Sequence, residues 1–209
     1  MFVNSLKKLG FTMIELLIVI AVLGILAVAV LSAINPIEQI NRGKDTGSRS
    51  DAEQLLSGVD RYYAGKGFYP WMTAEDTTNE EVTGGVLGPA ALTSITSSTQ
   101  RIGADNTQFL ANLSAGGAAE LKASFVTRIT GTTYNNLSIY NDGISGSSTY
   151  ICFIPKSSSF REEAWKRCSD GTTGLTMPTD FPVNACPPGG TCDSAPTAAA
   201  ATACMICLP

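Results

Sequence analysis

The 22 residues from Leu16 to Ile37 carry no charge; they lie between Glu15 and Glu38. As a helix, that run is roughly 33 Å long, enough to cross the hydrocarbon core of a bilayer. Nothing later in the chain approaches it. Lys7 and Lys8 precede it, with no acid before Glu15, so the N-terminus is expected to stay cytoplasmic and the rest to be exported. A cleaved secretory signal fits poorly. Its apolar core would be shorter, and Leu31 stands where a small residue is needed for a cut after Ala33. Glu15 is also out of place in a plain anchor, because a carboxylate in hydrocarbon costs about 2.5–3.5 kcal/mol on insertion scales.

The rest of the 209-residue chain narrows the chemistry. Charged residues make up 15% and the net charge is −4, which argues against a nucleic-acid binder held by charge. There is no histidine. Serine and cysteine nucleophiles paired with imidazole, and histidine-bearing zinc sites, are therefore excluded. With no nucleophile–base pair in sight, the chain does not read as an enzyme; an exported, membrane-anchored enzyme using carboxylates is the least favoured reading. No cofactor is implied.

Around Glu15 the residues form a pattern. Gly10-Phe11-Thr12-Met13-Ile14-Glu15-Leu16-Leu17, behind a short lysine-bearing leader and ahead of the apolar run, resembles the processing site of type IV prepilins and type II secretion pseudopilins. The resemblance implies that a prepilin peptidase cuts between Gly10 and Phe11 and methylates the new amine of Phe11. It implies that Glu15 guides subunit assembly. The physics agrees with that scheme. Removing Lys7 and Lys8 takes the charge from −4 to −6 and leaves a cationic amine at the tip of an apolar helix. In a staggered bundle, one subunit's amine can meet another's Glu15, and in low dielectric each charge relieves the other's burial. The pair would set register more than it adds stability.

The expected organisation is a leader (1–10), a long N-terminal helix (11–64, its transmembrane part about 16–37) and a head (65–209). The head would end in a Cys-, Pro- and Gly-rich region (169–209) too sparse to bury a core. Asn35-Pro36-Ile37-Glu38 reads either as a kinked helix interior or as a restart, with Asn35 as N-cap and Pro36 at the first helical position. We favour the kink at Pro36. The family's helix-breaking proline often falls earlier, at the position of Ser32 here. From Asn41 to Asp51 no residue is strongly apolar, and Gly43 and Gly47 weaken the helix. Ser50-Asp51-Ala52-Glu53 offers a second capping box. Beyond it Ala52, Leu55, Leu56, Val59, Tyr62 and Tyr63 form an apolar stripe. Gly65, Gly67 and Pro70 end the helix, and Tyr69-Pro70 resembles the helix exit of many pilins. Strands are predicted at 123–129, 137–140 and 149–154, with Asn141-Asp142-Gly143 as a turn between the last two. Short helices are predicted at about 105–113 and at 159–166, the latter with Ser159 as cap.

All six cysteines (Cys152, Cys168, Cys186, Cys192, Cys204 and Cys207) follow the apolar run, which suits an oxidising destination and three disulfides rather than metal. The expected pairing is 152–168, 186–192 and 204–207; a crossed arrangement joining Cys186 or Cys192 to the final pair is the rival. Cys204-x-x-Cys207 also has zinc-ligand spacing. Asp170, Asp180 and Asp193 lack the alternation of a calcium loop. Asn112 and Asn136 each head a glycan-acceptor triplet. Trp71 and Trp165 read as core residues.

The expected fold is α+β, a long N-terminal helix packed on a small antiparallel sheet with a disulfide-bearing, loop-rich C-terminal region. The resemblance implies a structural subunit that polymerises through that helix into an extracellular pilus fibre. The alternative is a pseudopilin of a type II secretion or competence system. Expected partners are other copies and related subunits, the peptidase, inner-membrane assembly machinery and the membrane itself. The chain would be a single-pass cytoplasmic-membrane protein before assembly, then part of an extracellular fibre, or of a pseudopilus in the envelope.

Overall fold

The computed structural model describes residues 10–33, 35–72, 92–102, 107–115, 119–132, 136–143, 147–168, 178–186 and 204–209. The chain divides into two compact units, one up to Gln39 and one from Ile40. In the first, helix α1 (Met13–Ala33) is apolar on every side, as a helix in lipid or in a helical bundle must be.

Helix α2 (Pro36–Lys66) begins as the restart, not as the kinked interior favoured from the sequence. The Asn35 side-chain oxygen accepts from the Glu38 N–H at 3.3 Å, and the Asn35 carbonyl accepts from the Gln39 N–H. Pro36 thus occupies the first helical position, where its missing N–H costs nothing. Gly43, Gly47 and the capping box at Ser50 do not interrupt α2. The reason lies outside the helix. Asp45 is fully buried, and its carboxylate accepts from the backbone N–H groups of Lys156 and Ser157 and from the Ser157 hydroxyl, at 2.6–3.0 Å. Arg42 donates to Ser159, and Arg49 pairs with Glu163. A polar stripe therefore holds the half of α2 that lacks an apolar one. Lys66 and Gly67, the latter at φ 79°, close the helix.

Beyond α2 come β1 (Thr93–Ser94), α3 (Phe109–Ser114), α4 (Ala123–Ile129), β2 (Leu137–Tyr140), β3 (Tyr150–Phe153), α5 (Ser158–Cys168) and β4 (Ile206–Leu208). The four strands form one antiparallel sheet in the order β1-β2-β3-β4. Both faces of β2 and β3 are buried. Leu137, Ile139, Ile151, Phe153 and Ile206 join Ala52, Leu55 and Val59 of α2 in the main core. Alternate residues Tyr140, Tyr150, Cys152 and Cys207 form a second cluster with Ala185 and Phe181. The period-2 alternation of a strand thus feeds two cores at once. Trp71 is fully buried and stacks on Tyr69, ring centroids 4.6 Å apart, while Asn112 donates to the Pro70 carbonyl at 2.7 Å. The helix exit is pinned to α3 in this way. At Gly58 an added Cβ would lie 2.8–2.9 Å from the buried Leu121 side chain, so this glycine permits the close approach of α2 to the segment before α4.

Three expectations are corrected. Residues 123–129 form helix α4, not a strand: Phe125, Val126 and Ile129 are buried together, a helical spacing that their β-branched character disguised. The C-terminal region is not only loop, because β4 completes the sheet with Ile206 and Cys207 buried. The disulfides join Cys152 to Cys207 and Cys168 to Cys186. Cys152 and Cys207 face each other in the β3–β4 register with Cα atoms 4.0 Å apart, a cross-strand position that admits a bridge. Cys204 is also disulfide-bonded, and Cys192 lies outside the described residues. In addition, α5 starts at Ser158, one residue before the expected cap.

Asp45→Ala is expected to destabilise the head by about 2–4 kcal/mol, because it strands the buried N–H and hydroxyl of Ser157 and the part-buried N–H of Lys156. Asp45→Asn, which keeps one acceptor oxygen, is expected to lose less. Thermal unfolding of the full chain in detergent, read by near-ultraviolet circular dichroism, measures both.

Candidate functional site: the helix tip and the stapled head

Thr12 precedes α1 and Glu15 sits in its first turn. Glu15 Oε2 accepts from both the N–H and the hydroxyl of Thr12, each at 2.8 Å, and the Glu15 N–H donates back to the Thr12 hydroxyl at 3.2 Å. This is a reciprocal capping box, which satisfies N–H groups that an α-helix leaves open at its start. It also answers the objection that a carboxylate is costly in an apolar helix: Glu15 carries its own donors. Oε1 makes no hydrogen bond among the described residues, so the group can still accept from outside. The signal is present in the sequence as a threonine three residues before a glutamate at the head of an apolar run, Thr12 and Glu15.

Phe11 stands 88% exposed, and an added Cβ at Gly10 would meet nothing within 4 Å. The chain's own packing therefore does not require a glycine at position 10. Along α1 the large side chains, from Met13 to Leu31, are half exposed or more. The segment from Met13 to Ser32 is long and apolar enough to cross a membrane. Glu15 and Phe11 stand together at one end of it. Pro36 stands past the other end, as the first residue of α2.

In the head, Asp180 is held in a hydrogen-bond network. It accepts from the Ser148 N–H at 2.7 Å and from the Tyr150 hydroxyl at 3.0 Å, and Phe181 packs edge-on against Tyr150. Burial pushes the Asp180 carboxyl up, but the donors from Ser148 and Tyr150 outweigh it and hold the group below the usual range. Burial first, then the bond and charge of Asp180, push the Tyr150 phenol up to about 12. Asp170 and Asp193 lie outside the described residues. Among the described residues no group of three or more Cys, Asp or Glu could hold a metal ion. Asn112 is engaged with Pro70, and Trp165 packs against the main core.

Residues 6–31 match the prokaryotic N-terminal methylation motif. No curated protein and no solved structure matches the chain. The matched segment is the prepilin-type leader and the start of the first helix, the segment that marks type IV pilins and pseudopilins.

The Tyr150–Asp180 pair makes the head sensitive to pH at both extremes. Tyr150's contribution is complete below the ordinary phenol value of 10.0 and vanishes as pH rises through about 12. Asp180's contribution is present above the ordinary carboxylate value of 3.8 and vanishes as pH falls through its lower folded value. Tyr150→Phe is expected to flatten the alkaline limb of melting temperature against pH and to shrink the acid limb. Melting curves of the full chain across pH 3–12 check this.

Proposed function

We propose that the chain is a type IV pilin-like structural subunit that polymerises through α1 into an extracellular pilus fibre. The observation that carries this reading is the methylation motif at residues 6–31, leading into an apolar helix that is uncovered along its length. Cleavage between Gly10 and Phe11 would leave a methylated amine one residue ahead of the Thr12–Glu15 box. Before assembly, Thr12 satisfies one oxygen of Glu15. In the fibre the other oxygen accepts from a neighbour's Phe11 amine, while the flanks of α1 exchange lipid for other copies of α1. A carboxylate with one occupied and one open oxygen serves both states without a bare buried charge. The disulfide-closed end of the head supports export to oxidising surroundings, a condition that a surface fibre and an envelope pseudopilus share.

The mature protein is expected to begin at N-methyl-Phe11. N-terminal mass analysis of the assembled protein decides this; a chain retaining Lys7 and Lys8, or cut after Ala33, sinks the reading. Gly10→Val is expected to leave an uncleaved, membrane-bound precursor. Because a side chain at position 10 meets nothing within 4 Å among the described residues, that effect reports on the peptidase rather than on folding.

Glu15→Ala is expected to insert into membranes at least as well as the parent chain, since a costly carboxylate is gone. Fibre yield should nevertheless collapse when no parent subunit is present. Quantifying sheared fibres against the membrane pool separates the two effects, and a normal yield would falsify the register role of Glu15.

A further inference from the structure

A groove of about 560 Å³ runs along the head between α2 and the segment leading into α4. Its floor is apolar, from Leu121 and Phe125, and its rim carries Arg61, Lys122 and Arg128 against the single carboxylate of Glu120. The two arginines are each about half exposed and anchored from one side. Arg61 donates through Nε to the Glu120 carboxylate at 2.8 Å, through Nη2 to the Glu120 carbonyl at 2.9 Å and through Nη1 to the Ser57 hydroxyl at 2.6 Å, which leaves one N–H on each terminal nitrogen, and Arg128 holds the buried Asp51 at 2.6 Å through one terminal nitrogen. Each carboxylate fixes its guanidinium at the rim and leaves part of the donor fork facing outward. Lys122 has no ion pair among the described residues. The groove is therefore a preformed, net-positive surface on a chain that is net negative.

The sequence contains a complement. From Gly67 to Gln100 there is no lysine or arginine, and the acids of that stretch, Glu75, Asp76, Glu80 and Glu81, fall within seven residues. We propose that in the fibre this groove receives the acidic stretch 75–81 of a neighbouring copy of the chain, with Lys122 and the two arginines meeting its carboxylates. The inference rests on the fibre-forming reading above. The choice of a second copy follows from the charge pattern. Heads that carry −4 (12 acidic against 8 basic residues over 65–209) repel one another when packed at random, whereas concentrating acid on one segment and base in one groove gives a single attractive orientation. The same net charge disfavours nucleic acid as the occupant.

The test uses fibres from cells that co-produce the parent chain and an allele mass-tagged at both places, Thr78→Ser and Thr127→Ser. A zero-length carbodiimide joins a lysine amine to a carboxylate only at ion-pair distance. Cross-links from Lys122 to residues 75–81 are expected, including pairs that combine one tagged and one untagged peptide. Pairs of like tag alone would mean that the stretch meets its own groove, and absence of the link would mean that it meets neither; both overturn the proposal. In parallel, Lys122→Glu is expected to cut fibre yield by about ten-fold or more, with subunit level and melting temperature unchanged. Adding Glu80→Lys and Glu81→Lys to the same chain should restore it. An undiminished yield overturns the proposal, as does a variant that keeps its fibres but loses retention of duplex DNA. A parent chain that forms no fibre at all removes the fibre reading and this inference with it, whereas fibres without the cross-link remove this inference alone.

Discussion

Among the described residues nothing covers the apolar surface of α1, and that exposure sets what the helix requires. From Met13 to Leu31 the large side chains stand open on all sides. At about 25 cal/mol per Å² of apolar surface, such a helix cannot remain in water. It needs lipid or other copies of itself, and a subunit that passes from one to the other needs both to be acceptable. On the fibre reading the single acid of α1 distinguishes the two: paired with Thr12, Glu15 is tolerable in lipid, and a neighbour's amine would give it a partner that lipid cannot supply.

The head solves a different problem, that of building a core from a chain rich in turns and poor in long elements. It does so by burying both faces of the two central strands of the sheet and by using polar contacts where apolar ones run out. Asp45 gives α2 a buried anchor ahead of its apolar stripe, and the same carboxylate caps the start of α5. On the far face, the segment around Ala185 and Phe181 covers Tyr150 and Cys152, with Asp180 tying it to the strand. In the chain-entropy picture the bridges Cys152–Cys207 and Cys168–Cys186, at separations of 55 and 18 residues, contribute about 3–4 kcal/mol each.

What could be read from the sequence was local. The apolar run, the methylation motif, strands β2 and β3, helix α5 and the capping option at Asn35 all rest on residues within a few positions of each other. At Asn35 two local readings competed, and the chain took the capped restart. Residues 123–129 were misread because Phe125, Val126, Thr127 and Ile129 favour strands by type, while their burial follows a helical period. The role of Asp45 was not legible, because its partners lie more than 100 positions away and no apolar pattern marks the contact. The cysteine pairs failed for the same reason. The β3–β4 register, set by residues far apart in the sequence, places Cys207 opposite Cys152.

That cross-strand bridge also changes what a protease can do to the protein. Cys152 lies in the third strand and Cys207 two residues from Pro209. A single backbone cut anywhere between them yields two pieces that remain covalently one molecule, and a cut between Cys168 and Cys186 leaves them doubly joined. A chain nicked in this region keeps its last strand covalently tied to the third. Damage of this kind becomes visible only when the disulfides are reduced.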